Sequence, residues 1–294
     1  MPAIRAGRPP GEAFRAVARA TLAGLARDLA SAGEGGGVHG ARRRLKFMRS
    51  LLRLVRPSLG KAEFGRADRL LGEAADALAG ARRAEALQEA VVKLGQAHPA
   101  AKPALAELAA LMAGLHREHA TAEALGQSAA LALRNCRVLR GEVSRWRLAR
   151  RDTALFLDGL KDCYRKARRR LRRGLAAKDV AILHQARKQI IHHLHQLDML
   201  RALWPEMIRV WTAELTDLRG ALGDLNDLDE ITGLIEKNAA AFSSPAARGA
   251  VDEAIASRRK ELLKKAAKRG NHLFAESPSA FAGRIGAMWQ ATLE

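Results

Sequence analysis

The sequence predicts an all-α protein built from two related halves. Three observations carry this. Nearly every segment spaces Ala, Leu, Arg and Glu as an amphipathic helix does; β-branched runs are few and no hairpin dipeptide sits between alternating stretches; and two short patterns recur in the same order along the chain. Taken in order, the N-terminal MPAIRAGRPPGEAF has no apolar leader-type run, and the first helical pattern stops at the glycine-rich GEGGG (33–37). A second helix, VHGARRRLKFMRSLLRLVRP (38–57), runs into RPSLG (56–60). Further breaks fall at AHPAAKP (97–103), AAKD (176–179), SSP (243–245) and ESP (276–278), where Gly, Pro and Ser punctuate the pattern. Long amphipathic helices between such breaks are the material of antiparallel bundles.

The repeat sets the organisation. VHGARRRL (38–45) matches LHQARKQI (183–190), pairing His39 with His184, Ala41 with Ala186 and Arg42 with Arg187. Downstream, LLGEAADAL (70–78) matches ALGDLNDLD (221–229) in a shared Leu-Gly-acid-x-x-Asp pattern: Leu71, Gly72, Glu73 and Asp76 in one copy, Leu222, Gly223, Asp224 and Asp227 in the other. Residues 1–150 and 151–294 are therefore expected to be two similar helical repeats, facing each other about a pseudo-twofold axis. If the equivalent helices line that junction, their cations converge on one basic groove or pore.

The second helix supplies the first candidate site. His39, Arg42, Lys46, Arg49, Arg53 and Arg56 alternate three and four apart, so they form one stripe about 26 Å long. The residues just before them, Val38, Ala41, Leu45, Met48, Leu52 and Val55, form an apolar stripe alongside that can seat the cations against a core. No acid interrupts the segment, whereas an idle solvated face normally intersperses Glu with Lys. A second run, Arg165, Arg168, Arg169 and Arg172, borders Leu160, Ala167, Leu171 and Leu175 just before the second His-x-x-Arg helix. Arg134 and Arg137 form a smaller pair in the first half.

Composition bounds the ligand. The 294 residues carry a net charge of +20 and a 48% hydrophobic fraction, enough for a sizeable core and for affinity to polyanions: nucleic acid, polyphosphate or an acidic membrane surface. Aromatics make up only 4%, too few for base-stacking platforms, and Arg exceeds Lys, which favours bidentate bonds to phosphate oxygens. Cys136 and Cys163 stand apart and read as small core or near-surface residues. No stretch is long and apolar enough to span a bilayer, so a soluble, cytoplasmic protein without membrane partners is expected.

At the two His-x-x-Arg helices, the two Leu-Gly-acid-x-x-Asp marks, GLKDCYRKARRRL (159–171) and the terminal HLFAESPSAFAGRIGAMW (272–289), the chain resembles the CHAD family, the conserved histidine α-helical domain, over nearly its whole length. The resemblance implies one domain of two four-helix repeats whose basic surface binds inorganic polyphosphate, with association to polyphosphate granules. It places His39, Arg42, Lys46 and Arg49 in the first motif, His184, Arg187 and Lys188 in the second, and Tyr164, Arg165 and Arg168 in a Tyr-Arg-x-x-Arg element before it. This chain departs from the family at Ile191, where lysine is common, and at His195, where an aromatic is common. His192, His193 or His195 is expected to make up the lost charge when protonated, which puts His192 in the site.

Chemistry beyond binding finds little support. No Walker loop, nucleophile elbow or Cys/His dyad can be placed, so no enzyme is expected. The histidine run lacks a His-Glu-x-x-His pattern, and adjacent helical residues diverge too far to share an ion, so neither metal nor cofactor is expected. The acidic marks read as structural, orienting arginines from behind. For His39 and His184 two readings stay open: imidazolium held beside a polyanion, which predicts tighter binding at mildly acidic pH, or a neutral imidazole bonded to a neighbouring helix. The resulting expectation is non-catalytic polyphosphate binding. Its rivals are non-specific nucleic-acid-backbone binding and a scaffold or regulatory subunit for a polyphosphate-metabolising enzyme.

Overall fold

The computed structural model describes residues 1–31, 37–78, 80–115, 122–238 and 242–294, and among them its regular secondary structure is all helix, with no strand. The helices are α1 (Pro10–Ala30), α2 (Gly37–Leu54), α3 (Lys61–Ala77), α4 (Gly80–Ala97), α5 (Lys102–Leu115), α6 (Ala122–Val143), α7 (Ala154–Ala177), α8 (Val180–Met199), α9 (Pro205–Lys237), α10 (Pro245–Leu273) and α11 (Pro278–Ala291). None is both long and apolar enough to cross a membrane, among the described residues.

Local chemistry accounts for the boundaries. The breaks at RPSLG and AHPAAKP each become a single 3-10 turn, Arg56–Ser58 and Pro99–Ala101, with proline at its start. Ser244 and Ser277 cap α10 and α11 by accepting the amide hydrogens of Ala247 and Ala280, with proline next in line at the first helical position. At AAKD, Lys178 adopts a left-handed conformation (φ 50°) and Asp179 caps α8 through the Ile182 amide, so α7 and α8 fold into a tight antiparallel hairpin. The glycine-rich break at 33–37 lies mostly outside the described residues. The stretches 144–153 and 200–204 also interrupt the helices; Pro205 at the start of α9 was the available signal for the latter.

Burial follows the periodicity. Ala41, Leu45, Met48, Leu52 and Val55 are fully buried and Val38 partly so, which leaves the adjoining cationic stripe at the surface. One continuous core runs from Ile4 to Trp289. Within the first half α1 packs on α2 and α6, and α2 and α6 each pack on α3; within the second, α7 packs on α8 and α11, and α8 and α10 on α9. The first half meets the second where α2 packs on α7 and α8, α4 on α9, and α5 on α10. The closest approach is at Gly159 of α7: a Cβ there would lie 1.9 Å from the Leu54 carbonyl oxygen, so only glycine lets α7 sit on the end of α2.

Candidate functional site

The α2 stripe is seated as its spacing predicts, but acids on neighbouring helices partly neutralise it. His39 and Lys46 are exposed. Arg49 and Arg53 converge on Asp68 of α3, at 3.1 and 3.0 Å, and Arg53 also donates to the Arg49 carbonyl. Burial works to raise the Asp68 pKa, but the two guanidiniums outweigh it and hold the carboxyl below its ordinary value. Off the stripe, Arg44 pairs with Asp28 of α1. A segment without acids in sequence thus acquires them in space.

In the second half the two motifs are opposite sides of one contact. Arg187 reaches from α8 onto α9, where its Nε lies 3.4 Å from the Arg219 carbonyl oxygen and the charges of Asp227 and Asp224 oppose the fall in its pKa that burial causes. A Cβ at Gly223 would stand 3.2 Å from this guanidinium, so the Leu-Gly-acid-x-x-Asp pattern supplies both clearance and counter-charge for the arginine of His-x-x-Arg. In the first half Arg42 donates to the Leu78 carbonyl oxygen just past the end of α3 (2.6 Å). Of the remaining acids, Glu73 accepts from Asn135 of α6, while Asp224 pairs with Lys93 of α4 and Arg258 of α10. Burial raises the Asp227 pKa, with Arg187 opposing.

His184 is partly buried, and its pKa lies below the ordinary value, through burial first and then the charges of Lys188 and Arg187, against a hydrogen bond to Asn226 and the charge of Glu230. The bond to Asn226 ties the ring to α9. Lys188 is exposed.

The expectation that His192, His193 or His195 makes up missing charge is overturned. Burial drives all three pKa values down: His192 well below the ordinary value, His193 to about 3 and His195 to about 4. His193 is enclosed by Tyr164, Phe274 and Phe281. His192 and His195 turn their Nδ1 atoms to the Ser50 hydroxyl of α2, at 2.9 and 3.0 Å. That hydroxyl donates to the Lys46 carbonyl, so it is satisfied when both rings carry their proton on Nδ1 and donate to it. His192 therefore joins the halves as a neutral ring. Ser50 and His195 stand 145 residues apart, the same offset as His39 and His184.

The cations of α7 divide between two sides of the helix. Arg168 donates to the Phe274 carbonyl at the α10–α11 turn, Arg165 pairs with Asp162, and Arg169 and Arg172 are exposed. Lys166 and Arg170 each stand two residues from Arg168, hence about 160° round the helix, and point the other way. With Arg53 and Arg56 they line a concavity of about 170 Å³ beneath Gly159, together with Asp162. Arg53 is matched by Asp68 and Lys166 by Asp162. Arg56 lies over the Phe64 ring, and neither it nor Arg170 has a carboxylate partner among the described residues. Arg134 and Arg137 are exposed on α6, which packs chiefly on α3 and α1, away from this junction. The Cys163 thiol reaches the Gln189 carbonyl, and burial pushes the Cys163 and Cys136 pKa values up to about 12 and about 11, so neither is a reactive thiolate. Among the described residues, no three His, Cys, Asp or Glu side chains group as metal ligands.

This helical frame, with Arg187 of the second His-x-x-Arg motif docked beside Gly223 and Asp227, has a counterpart among known families. The CHAD domain model matches residues 12–236, and the chain belongs to the CHAD family, which is associated with polyphosphate binding. The match stops before α10 and α11, so the terminal segment of the resemblance lies outside it. The fold is similar to that of PptA from Streptomyces chartreusis, with a TM-score of 0.54 at 16% identity, covering 96% of this chain and all of the other. No curated protein matches the chain.

Proposed function

We propose that this protein binds inorganic polyphosphate without transforming it, along the junction of two pseudo-symmetric repeats, residues 1–150 and 151–294. The observation that carries the reading is the concavity beneath Gly159, where Arg53 and Arg56 from one half face Lys166 and Arg170 from the other. At about 170 Å³ it is smaller than pockets for drug-sized ligands, and no aromatic side chain lines it, so it suits bare phosphate groups better than nucleotides. Lys46 and Lys188 are exposed on the α2 and α8 helices that meet here. The meeting of Ser50 with His195 at the repeat offset supports placing a pseudo-twofold axis through this junction.

The non-catalytic part of the reading rests on where the carboxylates go. The concavity has a single acid, Asp162, already engaged by Lys166 and Arg165, while Asp224 pairs with Lys93 and Arg258, and Asp227 faces Arg187. Phosphoryl transfer draws on carboxylates free to hold metal ions or orient a nucleophile.

The test is calorimetric titration with polyphosphate of defined length at physiological salt, in competition with single-stranded and duplex DNA of matched charge, for the wild type and Arg56→Ala/Arg170→Ala. Saturable binding that DNA fails to displace and the double variant loses is the expected result. Charge-for-charge competition by DNA, with the variant unchanged, would reduce the junction to a generic basic surface.

A further inference from the structure

A second basic concavity, of about 670 Å³, lies where the start of α1 meets the irregular segment after α6. Arg15, Arg145, Arg147, Arg150 and Arg151 line it, with Glu12 the one acid among them. The segment SRWRLARR (144–151) has no regular secondary structure, yet tertiary contacts hold it. Trp146 is buried and stacks on Phe14 (6.1 Å), its carbonyl accepts from Arg15 (3.0 Å), and the Ala149 amide donates to the Ser58 carbonyl (2.8 Å). The anchored residues alternate with arginines left facing outward. Arg150 has a loose pairing with Asp158 (3.7 Å), whereas the guanidiniums of Arg145, Arg147 and Arg151 have no ion-pair partner among the described residues. Cations fixed on a concave surface without counter-charge repel one another, and a compact multivalent anion relieves that repulsion most effectively because it bonds several guanidiniums at once.

Position ties this cluster to the junction. Ser58, which holds Ala149, closes the 3-10 turn that begins at Arg56, and Asp158, which meets Arg150, precedes Gly159. The two concavities therefore flank the same turn and the same start of α7. Trp146 is buried, so no exposed ring there offers a base a platform.

We propose that the α1 start and residues 144–151 form a second oligophosphate site, which takes either the outer stretch of a polyphosphate chain held at the junction or a free short oligophosphate; its ligand class rests on the polyphosphate reading. Two stations for one chain would raise affinity with chain length through effective concentration, beyond the tally of cations at either station.

The experiment titrates tripolyphosphate and long-chain polyphosphate into the wild type, Arg147→Ala/Arg151→Ala and Arg56→Ala/Arg170→Ala, with duplex DNA of matched charge as control. Arg147 and Arg151 are exposed and have no ion-pair partner among the described residues, so an unchanged melting temperature is expected for their variant. With about tenfold for each charge-assisted contact, that variant should bind long chains roughly a hundredfold more weakly. If tripolyphosphate also loses one of two binding events, the site accepts free oligophosphate; if only long-chain affinity falls, the site is the outer station of a chain. Unchanged affinity for both ligands, or an equal loss toward DNA, overturns the proposal. Loss in the Arg147/Arg151 variant while Arg56→Ala/Arg170→Ala binds normally would leave this site standing and refute the junction reading; the opposite pattern would do the reverse.

Discussion

Mild acidification should weaken the fold through His193, and the size of the effect follows from its surroundings. The ring is 2% exposed, lies edge-on to Tyr164 at 5.4 Å and to Phe281 at 5.2 Å, and its Nδ1 has no hydrogen-bond partner among the described residues. Burial lowers its pKa to about 3, whereas an unfolded chain has a histidine value near ~6.5. The folded state thus binds fewer protons. Stability is full above the unfolded value, declines as pH falls below it, and stops declining only when pH passes the folded value. At pH 5 the unfolded chain is almost fully protonated at this site and the folded chain is not, which amounts to about 2 kcal/mol. His195, with a pKa of about 4, adds up to ~2 kcal/mol more, and His192 acts in the same direction. Against a typical stability of roughly 5–15 kcal/mol this is a large share. The assay is urea unfolding followed by circular dichroism from pH 8 to pH 5, for the wild type and His193→Leu. The variant should lose about 1 kcal/mol less than the wild type between pH 6 and pH 5. Parallel stability curves would refute the assignment of a neutral, buried imidazole.

Other perturbations test other parts of the junction. Gly159→Ala should lower stability by roughly 3 kcal/mol, because the new methyl meets the Leu54 carbonyl oxygen rather than a yielding side chain; an unchanged melting temperature would contradict the close approach. Asp68→Ala should cost about 1–3 kcal/mol near pH 7 while strengthening polyphosphate binding several-fold in titrations, since Arg49 and Arg53 lose their shared acid. The depressed Asp68 pKa means its stabilisation is present above about pH 4 and lost as pH falls further, so the variant's unfolding curve should lack that acid limb. Binding should fall with salt with a log–log slope near about −3 if the four cations of the concavity each displace a counterion as on a single strand, and a slope near zero would exclude electrostatic capture. Asp227→Ala should reduce stability through Arg187 while leaving the affinity of the folded fraction unchanged; the reverse result would place Asp227 at the ligand.

Much of the frame was legible because it depends on periodicity and local chemistry. A 3.6-residue repeat of apolar positions requires a helix with a buried face, which is why Ala41, Leu45, Met48, Leu52 and Val55 sit at zero exposure beside the cationic stripe. Gly, Pro and Ser at the breaks act within a few residues of themselves, so the turns at 56–60, 97–103, 243–245 and 276–278 needed no tertiary information, while the cap at Asp179 came from the structure. The repeated His-x-x-Arg and Leu-Gly-acid-x-x-Asp patterns were visible too, although nothing in the sequence said that Arg187 crosses to Gly223 and Asp227.

The sequence by itself determined the helical class, the doubled motifs, the family and the seating of the α2 cations. Tertiary structure alone decided what each charged or titratable side chain faces. Periodicity gives the angle of a residue about its own helix axis but not which neighbour stands at that angle. Hence Asp68 could not be seen opposite Arg49 and Arg53, nor could Lys166 and Arg170 be seen lining one concavity with Arg53 and Arg56. The histidines of α8 read as reserve charge because protonation depends on solvation. Packing removed that solvation, placing His193 among aromatic rings and His192 and His195 against Ser50.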